Sequence, residues 1–278
     1  MTSSELAAAL ELDRRVYARG GQERIPIAGG TVVRHHGLPA IYTLNYVRLT
    51  SPLHPSIGAP QLVALADRWQ ADRGHRRIVI EDAAAGERLA PELQERGWER
   101  DRTLFMILRS DPRAARHDPR AREVSDPELR ALQLANNREE DYGPHTFPGL
   151  PEVLVEASAV LRAGTAARGF GAGEDGSLQS MCTLFLEPDL DGRRAAMVEQ
   201  VATVTSHRKR GLATAAVSTA LRAAGEWGAE LVVVPVDADD WPQVMYAGLG
   251  FTPVGRVVSF TLRVGDVPPR GRSDGEAV

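Results

Sequence analysis

The chain between residues 201 and 214 reads Val-Ala-Thr-Val-Thr-Ser-His-Arg-Lys-Arg-Gly-Leu-Ala-Thr. The apolar and β-branched residues at its start are typical of a strand. Three consecutive cations follow, and the small residues after them predict the start of a helix near Gly211. The first N–H groups of a helix have no intrahelical acceptor, and the helix dipole adds partial positive charge there. Because Gly211 and Ala213 lack bulk, the stretch predicts a strand, a basic turn and a helix start that bind phosphate.

The pattern Arg208-x-x-Gly211-x-Ala213, placed after a Val-Ala-Thr strand, resembles the acetyl-coenzyme A motif of the GNAT superfamily of N-acetyltransferases. Residues 239–251 read Asp-Asp-Trp-Pro-Gln-Val-Met-Tyr-Ala-Gly-Leu-Gly-Phe. They look like that family's last motif, in which a Tyr five residues before the Phe faces the coenzyme sulfur. The predicted order over residues 122–264 also matches the family: strand, two helices, three antiparallel strands, helix, strand, helix, strand.

The two halves of the chain end alike, which predicts a repeat. A Gly, a strand, a helix and a second Gly precede the last strand in each half, and the spacing is 23 residues from Gly74 to Gly97 and 22 residues from Gly228 to Gly250. The family resemblance implies an α/β (α+β) fold with a mixed, mostly antiparallel central sheet flanked by helices. The resemblance makes this fold GNAT-like and present twice, with the N-terminal copy truncated.

The predicted domains are a degenerate GNAT-like domain at residues 1–110, a linker at 111–121, a GNAT acetyltransferase domain at 122–264 and a disordered tail at 265–278. The linker is charged and punctuated by proline, and the tail is polar and rich in Pro and Gly. In the first copy a Pro-rich loop, residues 51–60, stands where the coenzyme motif is expected. The first copy therefore resembles a GNAT domain without a coenzyme site, and the role of this copy is predicted to be structural.

Composition narrows the function classes. The formal net charge of −4 over 278 residues gives no global attraction to nucleic acid or to an anionic membrane. No apolar run approaches the roughly 18 residues of a membrane span, and the N-terminus is acidic where a signal peptide is basic. The single cysteine, Cys182, fits a reducing cytoplasm. The seven histidines show no metal-ligand spacing, so we expect no metal.

The resemblance assigns the donor site to this half of the chain. Backbone N–H groups from Arg208 to Thr214 and the three cations would hold the phosphates of acetyl-coenzyme A. Asp239 stands where many relatives have an Asn that contacts the coenzyme. The implied coenzyme-binding residues are Val201, Ala202, Thr203, Arg208, Lys209, Arg210, Gly211, Leu212, Ala213, Thr214 and Asp239.

The implied reaction is attack of an amine on a thioester. A backbone donor on the strand at Val201–Thr203 would stabilise the oxyanion, and a β-bulge there, as the family has, would free an N–H for this purpose. Glu199 is the candidate general base, because it lies two residues before Val201 and hence on the same face of the strand. Tyr246 would protonate the departing thiolate. The alternatives are a surface carboxylate for Glu199 and a core aromatic for Tyr246.

The acceptor would be met by the acidic loop that contains Glu140, Asp141 and Tyr142, whose carboxylates favour a cationic amine; a plain solvated loop is the alternative. The predicted function is transfer of an acetyl group from acetyl-coenzyme A to a primary amine of a small molecule or a protein. The alternative is a non-catalytic acyl-coenzyme A-binding or regulatory module. The sequence leaves open whether the chain is a monomer, as a pseudo-dimer of tandem domains, or a homodimer.

Overall fold

The computed structural model describes residues 4–143 and 146–264. This part of the chain divides into two compact units. The larger unit consists of the described residues in 4–20 and 101–258, and the smaller unit of residues 21–100 and 259–264. The tail predicted at residues 265–278 lies outside the described residues. Among those that are described, no helix is both long and apolar enough to cross a membrane.

Helices and strands alternate one by one over residues 59–108 and 212–263, whereas successive strands or successive helices follow one another in the other described parts of the chain. The helices are α1 (Ser4–Gly20), α2 (Ala59–Gln70), α3 (Ala83–Glu95), α4 (Asp126–Glu139), α5 (Leu150–Ala163), α6 (Leu212–Trp227) and α7 (Pro242–Gly248). The strands are β1 (Glu23–Ile27), β2 (Gly30–Arg34), β3 (Tyr46–Leu49), β4 (His75–Ile80), β5 (Glu99–Leu108), β6 (Ala121–Val124), β7 (Ala166–Glu174), β8 (Ser177–Leu190), β9 (Arg193–Thr203), β10 (Leu231–Asp237) and β11 (Phe251–Arg263).

The larger unit is built on a sheet with the strand order β11, β5, β10, β9, β8, β7, β6. Neighbours from β6 to β9 pair antiparallel, as do β5 and β10, whereas β9 and β10 run parallel. The small-residue helix α6 covers one face, where Leu184, Val198 and Leu221 are fully buried. On the other face α4 packs Leu129 and Leu132 against Met181 of β8.

The smaller unit carries the strand order β1, β2, β3, β4, β11, to which β11 contributes its last residues. Strands β3 and β4 run parallel, and β1, β2 and β3 pair antiparallel. Arg77 of β4 donates to the hydroxyls of Thr261 and Ser259 at 2.7 and 3.0 Å. The predicted fold class, a mixed and mostly antiparallel sheet flanked by helices, is confirmed.

The compact units divide the chain differently from the predicted domain boundaries. Helix α1 packs with the larger unit, because Glu187 of β8 is buried and accepts a hydrogen bond from Arg19 at 2.5 Å. Strand β5, placed by the sequence at the end of the first half, pairs with β10 from Thr103 to Ile107. The larger unit therefore includes β5, which follows α2 and α3 of the first half of the chain. The smaller unit includes the end of β11, which follows α6 and α7 of the second half.

Candidate active site

Strands β9 and β10 separate soon after they begin to pair. Their parallel ladder runs from Leu231 opposite Ala195 to Val233 opposite Met197. In the antiparallel ladder with β8, Thr183 lies opposite Glu199 but Met181 lies opposite Ala202. Gln200 and Val201 therefore share one partner, Cys182, and Gln200 has a left-handed φ of 56°. This is a β-bulge, which leaves one residue out of the ladder at the point where the two parallel strands diverge.

The bulge corrects the prediction that Glu199 and Val201 share a face. Val201 packs against the cluster under α6 together with Val198, while Glu199 contacts α1 on the opposite face. One extra residue reverses the alternation of side chains along a strand, because that alternation has a period of two. Ala202 consequently packs on the α4 side, next to Met181.

The carboxylate of Glu199 is held at both oxygens. The hydroxyl of Tyr17 on α1 donates to Oε1 at 2.7 Å, and the backbone N–H of Gln200 donates to Oε2 at 3.0 Å. Glu199 retains some accessible surface, but protein atoms surround its carboxylate. This burial raises its pKa from 4.5 to about 7, and nearby Asp13 adds to the rise, while the two hydrogen bonds oppose it. A group with this pKa can exchange protons near neutral pH.

Tyr246 lies on α7 and is buried, with 4% of its surface exposed. Its ring meets Phe251 edge to face, with the ring centroids 5.8 Å apart. Burial raises the pKa of the phenol well above its usual range, and the neighbouring Cys182 and Glu199 add to this shift. The fold thus brings the phenol and the Glu199 carboxylate close enough to interact electrostatically, although 47 residues separate them in the sequence.

The basic turn leads directly into α6. Lys209 and Gly211 have left-handed φ angles of 64° and 78°, and Gly211 is the residue before the first helical turn. The N–H of Ala215, bonded to the Gly211 carbonyl at 3.0 Å, begins the regular helical pairing. The three preceding N–H groups, on Leu212, Ala213 and Thr214, lie at the helix start, where intrahelical acceptors are missing. The backbone here fits an anion.

Two carboxylates neutralise the arginines of this turn. Arg208 donates to a carboxylate oxygen of Glu140 and, through Nε, to the Thr203 carbonyl at 3.0 Å. Arg210 donates to Glu174 at 3.1 Å. Both arginines are exposed, so a phosphate group can compete for them.

The other predicted coenzyme residues occupy two places. Thr203 ends β9, and its hydroxyl lies 2.8 Å from that of Ser180. Asp239 lies in the turn between β10 and α7 and is ion-paired with Arg102 at 3.1 Å. Asp239 is exposed, and none of the contacts of the described residues links it to the basic turn.

The predicted acceptor residues are divided by their contacts. Glu140 pairs with Arg208, whereas the Asp141 carboxylate accepts a hydrogen bond from the N–H of Gly143 at 2.8 Å. The Tyr142 hydroxyl donates to Asn137 at 3.3 Å. The neighbouring Glu139 accepts a hydrogen bond from the N–H of Thr205 at 2.7 Å. The acidic loop is thus tied to the basic turn, a contact that the sequence did not predict.

The site fits an acyl-coenzyme A donor. A glycine with a left-handed φ opens the helix start, exposed cations flank it, and a bulged strand diverges from its parallel neighbour. Within residues 4–143 and 146–264, no cluster of His, Cys, Asp or Glu could hold a metal ion.

Tyr17 is the site residue that sequence reasoning missed. It lies 182 positions before Glu199 and belongs to no motif. The only signal in the sequence is its place near the end of an amphipathic helix, and that signal predicts burial rather than a role.

Comparison with known proteins agrees with this geometry. Residues 132–251 match the family described as "Acetyltransferase (GNAT) family". A search of curated proteins found no match. The matched residues include the basic turn, α6 and α7.

Solved structures extend the similarity over most of the chain. A functionally unknown conserved protein from Staphylococcus epidermidis superimposes with a TM-score of 0.68 at 10% identity, covering 88% of this chain and 94% of that one. A GCN5-related N-acetyltransferase from Kribbella flavida gives 0.56 at 20% identity, covering 95% and 97%. A tandem GNAT protein from the clavulanic acid biosynthesis pathway gives 0.52 at 17% identity, covering 86% and 80%. The N-terminal region therefore also has a GNAT-like fold.

Proposed function

We propose that this chain, whose residues 132–251 match the GNAT acetyltransferase family, transfers an acetyl group from acetyl-coenzyme A to a primary amine. The observation that carries the proposal is the position of Glu199. Its carboxylate has a pKa of about 7, stands beside a β-bulge where two parallel strands diverge, and interacts with the buried phenol of Tyr246. A structural carboxylate needs none of these features.

The donor is held by the basic turn and the start of α6. Arg208, Lys209 and Arg210 supply charge, and the N–H groups that follow Gly211 bind phosphate oxygens. The thioester would then lie between β9 and β10, where the bulge at Gln200 and Val201 leaves backbone out of the ladder. An N–H placed there stabilises the oxygen that gains charge during attack.

Glu199 acts as the general base. An aliphatic amine is largely protonated at pH 7, because its ordinary pKa is about 10, and it attacks only after losing a proton. A carboxylate with a pKa of about 7 accepts that proton directly or through one water molecule. Tyr17 and Gln200 each take one lone-pair position, so each carboxylate oxygen keeps the capacity to accept a proton.

Tyr246 acts as the general acid. Because its pKa is raised, the phenol is protonated at neutral pH. A thiolate is a weaker base than a phenolate, so the proton moves to the sulfur only when its transfer is coupled to departure of the leaving group.

Release of free thiol from acetyl-coenzyme A, measured over a panel of primary amines, tests the proposal. We expect acceptor-dependent release, reduced about 100-fold in Tyr246→Phe and by a similar factor in Glu199→Gln. Coenzyme affinity without release for any amine would instead support a non-catalytic acyl-coenzyme A-binding module. Binding that survives Arg208→Glu, Arg210→Glu and Gly211→Glu in one variant contradicts both functions.

A further inference from the structure

We propose that Tyr17 of α1 is a positioning residue for acyl transfer, which holds the Glu199 carboxylate in the orientation from which it takes the proton of the amine. This inference rests on the proposed function. It places an N-terminal helix, outside the residues that match the family, in the working site of the enzyme.

The carboxylate of Glu199 accepts a hydrogen bond at each of its two oxygens. Oε2 receives the N–H of Gln200, which the bulge turns toward its own neighbour. Oε1 receives the Tyr17 hydroxyl at 2.7 Å. Donors on both oxygens fix the plane of the carboxylate, whereas the Gln200 N–H alone leaves the side chain free to rotate about it. A rotation that moves the basic oxygen by about 1 Å is enough to slow proton transfer substantially.

Tyr17 is itself held in place by contacts of the residues on either side of it. Arg15 and Arg19, two residues before and after it, both reach the buried Glu187 of β8, at 3.7 and 2.5 Å. The backbone of Arg19 also packs closely on the start of the turn after α5, where a Cβ at Gly164 would lie 2.7 Å from the Arg19 carbonyl oxygen. These contacts fasten the last turns of α1 to the larger unit, so Tyr17 is held from both sides.

Titratable and charged groups from several elements surround Glu199. Asp13 and Tyr17 face it from α1, and Tyr246 of α7, which has Cys182 of β8 as a neighbour, interacts with it electrostatically. Arg162 of α5 approaches through the Gln200 amide oxygen at 3.3 Å. Within this set, the hydroxyl of Tyr17 stabilises the ionised form of Glu199 and burial opposes it. Loss of that hydroxyl therefore raises the pKa of the carboxylate, and the base becomes active only at higher pH.

Two measurements on the full chain test the proposal. The first follows the side-chain carboxyl of Glu199 by NMR with ¹³C-labelled glutamate, assigned with Glu199→Gln, which reports its protonation without any need for turnover. The second is the pH profile of kcat/KM for amine-dependent thiol release. In Tyr17→Phe we expect the carboxyl titration and the acid limb of the profile to move up together by about 1 pH unit. We also expect kcat at the high-pH plateau to fall about tenfold.

The matched control is Tyr42→Phe, which removes a hydroxyl in the smaller unit, where the ring meets His75 edge to face. It should leave both curves unchanged. Site-specific 3-fluorotyrosine at position 17 keeps the ring and strengthens the donor, so it should move both curves to lower pH even if Tyr17→Phe proves unstable.

The outcomes separate the two proposals. A Tyr17→Phe protein whose Glu199 titrates as in the wild type, or one that loses rate equally at every pH, overturns the positioning role while leaving acyl transfer intact. Full activity in Glu199→Gln contradicts the proposed base, and the role of Tyr17 in catalysis falls with it.

Discussion

The carboxylate of Glu199 opposes folding at the pH at which it is expected to act. Burial raises its pKa from 4.5 to about 7, so the folded chain keeps a proton there through a pH range in which the unfolded chain has lost it. The stability that this group contributes is therefore present below about pH 4.5 and is lost as the pH rises to about 7. Buried carboxylates with this property are concentrated at functional sites.

Glu199→Gln should lose activity, and its stability relative to the wild type should increase as the pH rises. Glutamine does not ionise, so the variant escapes the penalty that the wild type acquires between pH 5 and pH 8. Relative to the wild type, its free energy of unfolding should rise by about 2 kcal/mol over that interval. Urea denaturation of both proteins at pH 5, 6, 7 and 8 gives this difference directly.

Glu187→Gln is the matched control for this measurement. Glu187 is as deeply buried as a core residue, with 3% of its surface exposed, but Arg19 and Arg15 balance its charge. Its removal leaves guanidinium groups without their partner, so this variant should lose about 1–3 kcal/mol at every pH in the range. If the two variants respond to pH in the same manner, the pKa of Glu199 is not raised.

At the scale of elements, the loop after α4 and the turn before α6 hold each other. Glu140 occupies Arg208, and Glu139 accepts the N–H of Thr205 at 2.7 Å. The predicted acceptor loop therefore rests on the predicted donor site. A phosphate group that binds Arg208 must displace Glu140, which couples the donor to the position of this loop.

Glu140→Gln should consequently tighten coenzyme binding. The substitution frees Arg208 from its carboxylate while it keeps the size of the side chain, and we expect the Kd for coenzyme A to fall about threefold at low salt. Glu152→Gln removes a similar exposed ion pair, to Arg138 at 2.8 Å, and should leave the Kd unchanged. Isothermal titration of the three proteins decides the matter, and weaker binding in Glu140→Gln means that Glu140 supports the turn rather than competing for it.

The elements that the sequence predicted are those set by local interactions. Ser125 and Glu128 form the expected capping box at the start of α4, and Gly228 ends α6 with the expected left-handed φ of 89°. The family resemblance implied the bulge at Gln200, but no local pattern encodes it, because one extra residue in a ladder depends on the partner strand. The contact between Tyr17 and Glu199 depends on how α1 docks, and no local pattern encodes that.

At the scale of the whole molecule, the chain contains two GNAT-like regions with unequal sites. In the larger unit, β9 leads through a basic turn to the open start of α6. In the smaller unit, β3 leads through a loop at residues 51–58 to α2. The N–H of Leu53 in that loop is taken by the Asp82 carboxylate at 3.1 Å, and the N–H of Gly58 by the Gln61 side chain at 3.1 Å. Pro60, in the first turn of α2, has no N–H to offer.

The parallel strand pairs of the two units, β3 with β4 and β9 with β10, also differ where their pairing ends. Beyond the ladder of β3 and β4, the N–H of Glu81 still bonds to the Leu49 carbonyl at 3.0 Å, and Arg48 forms a buried ion pair with Glu81 at 2.6 Å. Strands β3 and β4 therefore stay joined where β9 and β10 diverge. The loop between β3 and α2 carries no arginine, and the carboxylate of Asp82 that contacts it repels phosphate.

The chain should therefore bind one molecule of coenzyme, although its fold is repeated. Isothermal titration with acetyl-coenzyme A should give a stoichiometry of one per chain, and the variant with Arg208→Glu, Arg210→Glu and Gly211→Glu should show no remaining heat of binding. Asp82→Asn serves as the counterpart in the smaller unit: it removes the negative charge and keeps one of the two oxygens that accept the N–H groups of Leu53 and Ala85, and it should leave the Kd unchanged. A second mole of coenzyme bound, or an Asp82→Asn variant with altered affinity, would show that the smaller unit retains a donor site of its own.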